Sequence, residues 1–180
     1  MSSKVYFSET QRFESLVLKV MVMLGSAAAL VPLLFACYQQ LIVGEPWGQE
    51  PISDLALLLL LILLLLLILG INLLIFNSKL ETKITADEIQ YRYRPLVYNW
   101  KGISPHEIES AGLRKYNAWT EYGGRGYKFR YLGSKGRAIT MGGNQGLQLM
   151  LKNGKKLLLG TQRPSELNIA LQKIMQAHNR

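Results

Sequence analysis

Residues 55–76 read LALLLLLILLLLLILGINLLIF, a run of 22 residues that contains no charged side chain. The hydrocarbon core of a bilayer is about 30 Å thick, and about 20 apolar residues in a helix cross it. The run therefore predicts a transmembrane helix over about residues 53–77. The alternative, a helix buried in a soluble core, would require a chain of 180 residues to cover every side of this leucine-rich cylinder.

A second apolar segment precedes this run. Residues 20–38 carry no charge and predict another transmembrane helix over about residues 16–43. Gly25 and Ala29 are four residues apart and share one helix face, where small side chains allow close packing in lipid. We expect this face to pack against the leucine-rich helix, with a homodimer contact as the alternative. Asn72 is expected to hydrogen-bond the partner helix.

Two other interpretations of the first segment depend on processing. A cleaved secretory signal is disfavoured because the segment is long and follows the acidic residues Glu9 and Glu14. Residues 34–37, LFAC, resemble a lipoprotein cleavage site, although Phe35 fits it poorly. Whether Cys37 is modified stays open. As the single cysteine of the chain, Cys37 excludes an internal disulfide.

The flanking charges predict the orientation of this hairpin. The connecting residues 44–51, GEPWGQEP, contain no Lys or Arg, whereas Arg12, Lys19, Lys79 and Lys83 flank the opposite ends of the helices. Since positive loops stay in the cytoplasm, both termini are predicted to be cytoplasmic. Residues 1–15 are expected to form a short juxtamembrane segment at the membrane surface.

The remaining residues, 78–180, read as short strands separated by turns. Apolar and polar side chains alternate over residues 80–85 and 89–94, as in half-buried strands. Asn153 and Gly154 separate two apolar runs and predict a hairpin with a type I′ turn. Residues 164–175 predict an amphipathic helix. The segment is thus predicted to contain about seven antiparallel strands in a small sandwich or barrel capped by the C-terminal helix, within an α+β membrane protein.

Four stretches of the chain carry a family resemblance: residues 6–13 (YFSETQRF), 38–48 (YQQLIVGEPWG), 121–124 (EYGG) and 143–167 (GNQGLQLMLKNGKKLLLGTQRPSEL). With these stretches the chain resembles uncharacterised bacterial membrane proteins that have a two-helix hairpin followed by a pleckstrin-homology-like domain. Arg125 departs from that pattern, which tends to have tryptophan after the two glycines. The resemblance implies the bacterial inner membrane and a pleckstrin-homology-like fold for residues 78–180. It implies no activity.

Positive charge is concentrated in this last segment. From Lys79 onward there are 18 Lys and Arg residues against seven acids, a net charge of +11. Such a balance favours an anionic partner. Gly123, Gly124 and Gly126 are expected to form a turn whose basic neighbours bind an anion or a lipid headgroup. These neighbours are Arg114, Lys115, Arg125, Lys128 and Arg130.

The sequence contains no convincing catalytic constellation. His106 and His178 are the only histidines, and no cysteine or carboxylate spacing makes either a metal ligand. We therefore predict that the protein is not an enzyme and has no cofactor or metal. Tyr91 and Tyr93 alternate with Arg92 and Arg94, so the aromatic and basic side chains lie on opposite faces of a strand. Nucleic acid is therefore not the predicted partner.

Together these observations predict a membrane-anchored interaction or scaffold protein. Its basic domain would bind a protein partner or anionic lipid at the cytoplasmic face, and it could form a homo-oligomer. The alternative is an accessory subunit of a membrane enzyme or transport complex.

Overall fold

The computed structural model describes residues 4–13, 15–128 and 136–178. These residues form two compact units. The helical unit comprises Ser15–Phe76, and the sheet unit comprises Met1–Glu14 together with Asn77–Arg180. The sheet unit is therefore built from both ends of the chain, with the helical unit inserted between them.

The helical unit contains two long helices. Helix α1 (Leu16–Cys37) begins at Ser15, whose hydroxyl accepts a hydrogen bond from the Leu18 amide, and it continues into a π-helix, Tyr38–Val43. Helix α2 covers Asp54–Asn77. Both helices are long and apolar enough to cross a membrane. Within the unit, 11% of the most apolar stretch of the first helix and 0% of that of the second are buried, so neither is a typical core helix.

The contact face of α1 differs from the predicted one. Ser26 lies towards α2, where its hydroxyl oxygen is 3.4 Å from the side-chain nitrogen of Asn72. Gly25 and Ala29 are exposed, and a Cβ atom at Gly25 would meet nothing within 4 Å. The prediction that these small residues pack against α2 is wrong, because Ser26 is rotated by about 100° from Gly25 around the helix. The homodimer contact stays a prediction.

The sheet unit contains nine described strands in two sheets. Sheet 1 has the order β1-β2-β3-β4 and is antiparallel throughout; sheet 2 has the order β5-β8-β9-β7-β6. The strands of sheet 1 are β1 (Val5–Arg12), β2 (Lys79–Thr85), β3 (Ile89–Arg94) and β4 (Val97–Ile103). Those of sheet 2 are β5 (Ile108–Lys115), β6 (Gly126–Lys128), β7 (Arg137–Thr140), β8 (Gln145–Leu151) and β9 (Lys156–Thr161).

Strand β1 corrects the prediction for the N-terminal segment. Instead of lying apart as a juxtamembrane segment, Val5–Arg12 pairs with β2 along its length, from Val5 opposite Thr85 to Arg12 opposite Lys79. Its inward side chains Phe7, Glu9 and Gln11 are buried. The strand forms because alternate side chains give it one buried face. Its partner β2 follows both long helices in the sequence.

Sheet 2 differs from the predicted antiparallel arrangement at one pair of strands. Strands β7 and β9 are parallel, with Arg137 opposite Leu157 and Ile139 opposite Leu159. In the sheet, β9 lies between β8 and β7. It is antiparallel to β8, its hairpin partner, and parallel to the earlier strand β7. The two sheets stay separate and form no closed barrel.

The turn between β8 and β9 is also not the predicted type I′ turn, which requires positive φ at both Asn153 and Gly154. No described residue other than glycine has positive φ, whereas Gly154 has φ 75°. The Gly154 amide donates to the Leu151 carbonyl at 2.8 Å, and the Leu151 amide donates to the Lys155 carbonyl at 2.9 Å. This pattern is that of a three-residue loop in which glycine follows a type I turn.

One hydrophobic core joins both sheets to helix α4 (Pro164–His178). The predicted amphipathic face of this helix is confirmed, since Leu167, Ala170, Leu171 and Ile174 are buried in the core. The short helix α3 (Ala118–Tyr122) and a 3-10 turn (Pro105–Glu107) complete the described elements of the sheet unit. The unit is a mixed α+β fold made of two sheets and a C-terminal helix.

Candidate anion-binding surface

The predicted basic set is not a free cationic surface. Arg114 donates hydrogen bonds to Glu121 (2.8 Å), to the Tyr122 hydroxyl (2.7 Å) and to Gln148 (3.0 Å), so it fastens α3 to sheet 2. Lys115 and Arg125 are exposed, and Lys128 is half-buried. Arg130 lies outside the described residues. The ion pair of Arg114 removes one charge from the predicted site and gives this residue a structural role.

A stronger concentration of cations lies on the outer face of sheet 1. Inward residues of its strands are buried, so the alternate residues point away from the core. We define the aromatic–basic face as these outward cations and the two neighbouring aromatic residues of β4. Its members are Arg12, Lys79, Lys83, Arg92, Arg94, Tyr98 and Trp100.

Trp100 is the centre of this face. The guanidinium carbon of Arg92 lies 4.3 Å from the centroid of the indole ring, and the Lys83 ammonium nitrogen lies 4.6 Å from it. Both distances are in the range of cation–π attraction. The indole therefore helps to position two cations, and Trp100 itself is half-buried.

Glu81 is the acid that pairs with this face. It accepts hydrogen bonds of 2.5 and 2.9 Å from Arg92, and the Arg94 Nε atom lies 3.4 Å from its carboxylate. The hydrogen bond from Arg92 lowers the pKa of the Glu81 carboxyl, although desolvation opposes this change. Glu81 forms ion pairs with two of the five cations, Arg92 and Arg94, so these cations and Glu81 together carry a net charge of +4.

Three of the cations form a row at one end of the sheet. Lys79 pairs with Arg12 on β1 and with Arg94 on β3. At this end the chain connects to both long helices, because Arg12 precedes α1 by four residues and Lys79 follows α2 by two. Leu96 and Tyr98, which come just after Arg94, are 57% and 68% exposed. Apolar and aromatic side chains are thus exposed beside the cations.

The two histidines lie together, although the sequence placed them in separate elements. The ring centroids of His106 and His178 are 4.6 Å apart and the rings meet edge to face. Over the described parts of the chain, no group of three or more His, Cys, Asp or Glu residues could hold a metal ion. The arrangement is therefore an aromatic contact between the 3-10 turn and the end of α4.

A family model described as a family of unknown function, DUF6141, matches residues 2–179. The chain belongs to this family. No curated protein and no solved structure matches the chain significantly.

The DUF6141 match confirms the predicted membership of an uncharacterised family, and it spans both units. Strand β1, the two apolar helices and the sheets that follow therefore belong to one family unit. The match carries no statement about a pleckstrin-homology-like fold or about a ligand.

Sequence reasoning missed the aromatic–basic face of this DUF6141 chain because it assigned no strand to residues 97–103. Tyr91 and Tyr93 are buried, as the alternation indicated, and the aromatic partners of the arginines come from β4 instead. The sequence signal for a strand here was the pair of aromatic residues Tyr98 and Trp100, two positions apart, which place their side chains on the same face of a strand. It was weakened by Asn99 and Gly102, which are poor strand formers.

Proposed function

We propose that this protein is a membrane-anchored interaction protein whose sheet unit contacts anionic lipid through the aromatic–basic face. In this proposal α1, extended to Val43, and α2 cross the bacterial inner membrane, and both termini are cytoplasmic. The length and exposure of the helices support the crossing. The absence of Lys and Arg from residues 44–51 supports the orientation.

The row of Arg12, Lys79 and Arg94 is the observation that carries the proposal. Arg12 and Lys79 lie four and two residues from the ends of the apolar helices, and Arg94 pairs with Lys79 in the sheet. A residue spans at most about 3.6 Å of extended chain, so the row cannot lie far from the membrane surface if the helices cross it. Each cation near an anionic leaflet contributes about 1 kcal/mol of attraction. The row would therefore hold the sheet unit against anionic lipid.

Trp100, Tyr98 and Leu96 fit the same role. Tryptophan and tyrosine are enriched at the level of the lipid headgroups because their rings combine apolar and polar parts. The aromatic–basic face has both kinds of group that an anionic membrane surface attracts. In this respect the sheet unit would act as a pleckstrin-homology-like module, in which two sheets with a C-terminal helix present a basic surface.

The fluorescence of Trp100 can test the proposal in the full chain. Replacing the other two tryptophans (Trp47→Phe and Trp119→Phe) leaves Trp100 as the single reporter. The protein is reconstituted into nanodiscs of phosphatidylcholine alone or with phosphatidylglycerol, and quenching by acrylamide is measured. We expect weaker quenching with the anionic lipid and recovery of quenching as salt screens the attraction.

Matched charge variants complete the test. Arg12→Gln with Lys79→Gln should remove most of the difference between the two lipids. Lys4→Gln with Lys173→Gln removes the same charge from exposed positions elsewhere and should preserve the difference. Equal quenching of Trp100 in both lipids, with all the cations of the face intact, would contradict lipid contact and would favour a protein partner.

A further inference from the structure

A second basic region lies in a cleft of the sheet unit, away from the aromatic–basic face. The cleft has a volume of about 590 Å³ and lies among the inward side of β3, strand β4, the start of β7 and the β8–β9 hairpin. Tyr91, Ile103 and Leu157 contribute buried side chains to its wall. Sites for small molecules usually have volumes of about 300–1,000 Å³, so the cleft is large enough for one.

Four cations line the cleft: Lys101, Arg137, Lys155 and Lys156. Glu107 is the one carboxylate among the lining residues. In the described part of the chain, none of the ion pairs involves any of these four cations. The lining therefore has a net charge of +3, and no carboxylate among the described residues forms an ion pair with its cations.

Arg137 is held at the boundary between the cleft and the core. Its guanidinium carbon lies 5.6 Å from the centroid of the Tyr127 ring. Its charge opposes the rise in the pKa of the Tyr91 hydroxyl, which burial causes. Both tyrosines restrict the guanidinium to one region of the wall. A cation that is oriented before binding loses less entropy when an anion arrives.

We propose that this cleft binds a small molecule that carries a phosphate group. Arg137, Lys101 and Lys156 supply the donors for the phosphate, since arginine and lysine are the usual partners of this group in proteins. The apolar wall formed by Ile103, Leu151 and Leu157 accommodates an organic part of the ligand. Glu107 accepts hydrogen bonds from hydroxyl groups of that part.

A phosphate fits this charge better than a carboxylate does. Phosphate groups carry about −1.5 to −2 charges near neutral pH, together with three acceptor oxygens. A single carboxylate would leave most of the net charge of +3 without a partner. The ligand is thus a phosphate ester, and its phosphate can come from a lipid headgroup or from a soluble compound.

The cleft is distinct from the surface proposed above. On β3, the cleft is near Tyr91, which pairs with Lys101, whereas the cationic row is at the other end, where Arg94 pairs with Lys79. No residue is shared by the two sites. Loss of one binding activity therefore leaves the other measurable, and this proposal does not depend on contact of the outer face with lipid.

Calorimetric titration of the full chain in phosphatidylcholine nanodiscs tests the site. One arm uses inorganic pyrophosphate, and the other uses dihexanoyl phosphatidylglycerol below its critical micelle concentration. Saturable binding of pyrophosphate supports a soluble source of the phosphate. Binding of the lipid alone supports a headgroup. Binding of neither compound at low ionic strength overturns the proposal.

Charge variants locate the binding. Lys101→Gln with Arg137→Gln should weaken the affinity at least about tenfold, since charge-assisted hydrogen bonds are lost. Lys155→Glu, at an exposed position of the hairpin, should weaken it similarly without disturbing the core. Lys4→Gln with Lys173→Gln, at exposed positions outside the lining, serves as the control of equal charge and should change the affinity less than about twofold. Equal losses in the control and the cleft variants would overturn the assignment.

Discussion

The carboxylate of Glu9 accepts a 2.7 Å hydrogen bond from the hydroxyl of Thr161, 152 residues away in the sequence. The same carboxylate accepts a 2.8 Å bond from the Gln162 amide, and Gln11 donates a 2.7 Å bond to the Gly160 carbonyl. Strand β1 is thus fastened to the end of β9, just before α4. These hydrogen bonds join the two ends of the chain within the sheet unit.

The Glu9–Thr161 contact predicts that Thr161→Val destabilises the sheet unit. Both side chains are buried, and loss of the hydroxyl leaves a buried carboxylate with one partner fewer. The expected loss is about 1–3 kcal/mol. Thr10→Val, on the exposed side of β1, should change stability by less than about 0.5 kcal/mol. Circular dichroism of the full chain in detergent gives the two unfolding midpoints, and equal midpoints would refute the role of the contact.

Strand β1 also predicts that a fragment starting at Ser78 folds poorly. Without β1, the edge of β2 and the partners of Glu9 and Gln11 are exposed. A fusion that joins residues 4–13 to residues 78–180 through a short linker should fold, because Arg12 and Lys79 are neighbours in the sheet. Nuclear magnetic resonance spectra of the two fragments distinguish the cases. A well-dispersed spectrum from the fragment without β1 would show that the strand is dispensable.

The Glu81–Arg92 pair predicts a loss of stability in acid. The pKa of the Glu81 carboxyl is lower in the folded chain than its ordinary value of 4.5. The folded state therefore binds fewer protons in this range, so the stabilisation is present above pH 4.5 and is lost as the pH falls through the lower folded value. Between about pH 6 and pH 3, Glu81→Gln should lose less stability than the unsubstituted protein. Glu109→Gln, at an exposed position, should behave like the unsubstituted protein.

Asn72 is expected to contribute little to the stability of the helical unit. Its side-chain nitrogen donates to the Ile68 carbonyl of its own helix at 2.8 Å and lies 3.4 Å from the Ser26 hydroxyl oxygen of α1. Replacing Asn72 by leucine should cost about 0.6 kcal/mol and at most about 1.7 kcal/mol, the average and the maximum found for hydrogen bonds between helices in a membrane protein. Unfolding by dodecyl sulfate measures this cost, with Ile71→Leu as an exposed control. A loss of unfolding free energy clearly above this range would contradict the prediction that Asn72 contributes only one hydrogen bond between the helices.

Local patterns accounted for the helices but not for the arrangement of the sheets. The apolar run of α2 and the spacing of Leu167, Ala170, Leu171 and Ile174 each depend on residues close in sequence, so they could be recognised directly. Strand β1 pairs with β2, which is separated from it in the sequence by the whole helical unit. The alternation of side chains in β1 does not show which strand it pairs with. The parallel pairing of β7 with β9 depends in the same way on contacts between strands that are not consecutive.

The candidate sites show the same limit. Charge counting correctly placed the positive excess after Lys79, but it could not tell which cations are paired. Arg114 is fastened by Glu121 and Tyr122, and so it is a poor ligand for an external anion. Trp100 joins Arg92 and Lys83 only because β4 lies beside β3 in sheet 1. A surface of this kind is defined by strand register, which composition does not contain.

The orientation of the chain in the membrane tests the account most directly. In a Cys37→Ser background, Glu50→Cys marks the connection between the helices and Lys173→Cys marks the exposed side of α4. Spheroplasts that express each variant are treated with a membrane-impermeant maleimide. We predict labelling of the position 50 variant in intact spheroplasts and of the position 173 variant only after the membrane is broken. Labelling of position 173 from outside, or protection of position 50, would contradict a hairpin that holds the sheet unit at the cytoplasmic face.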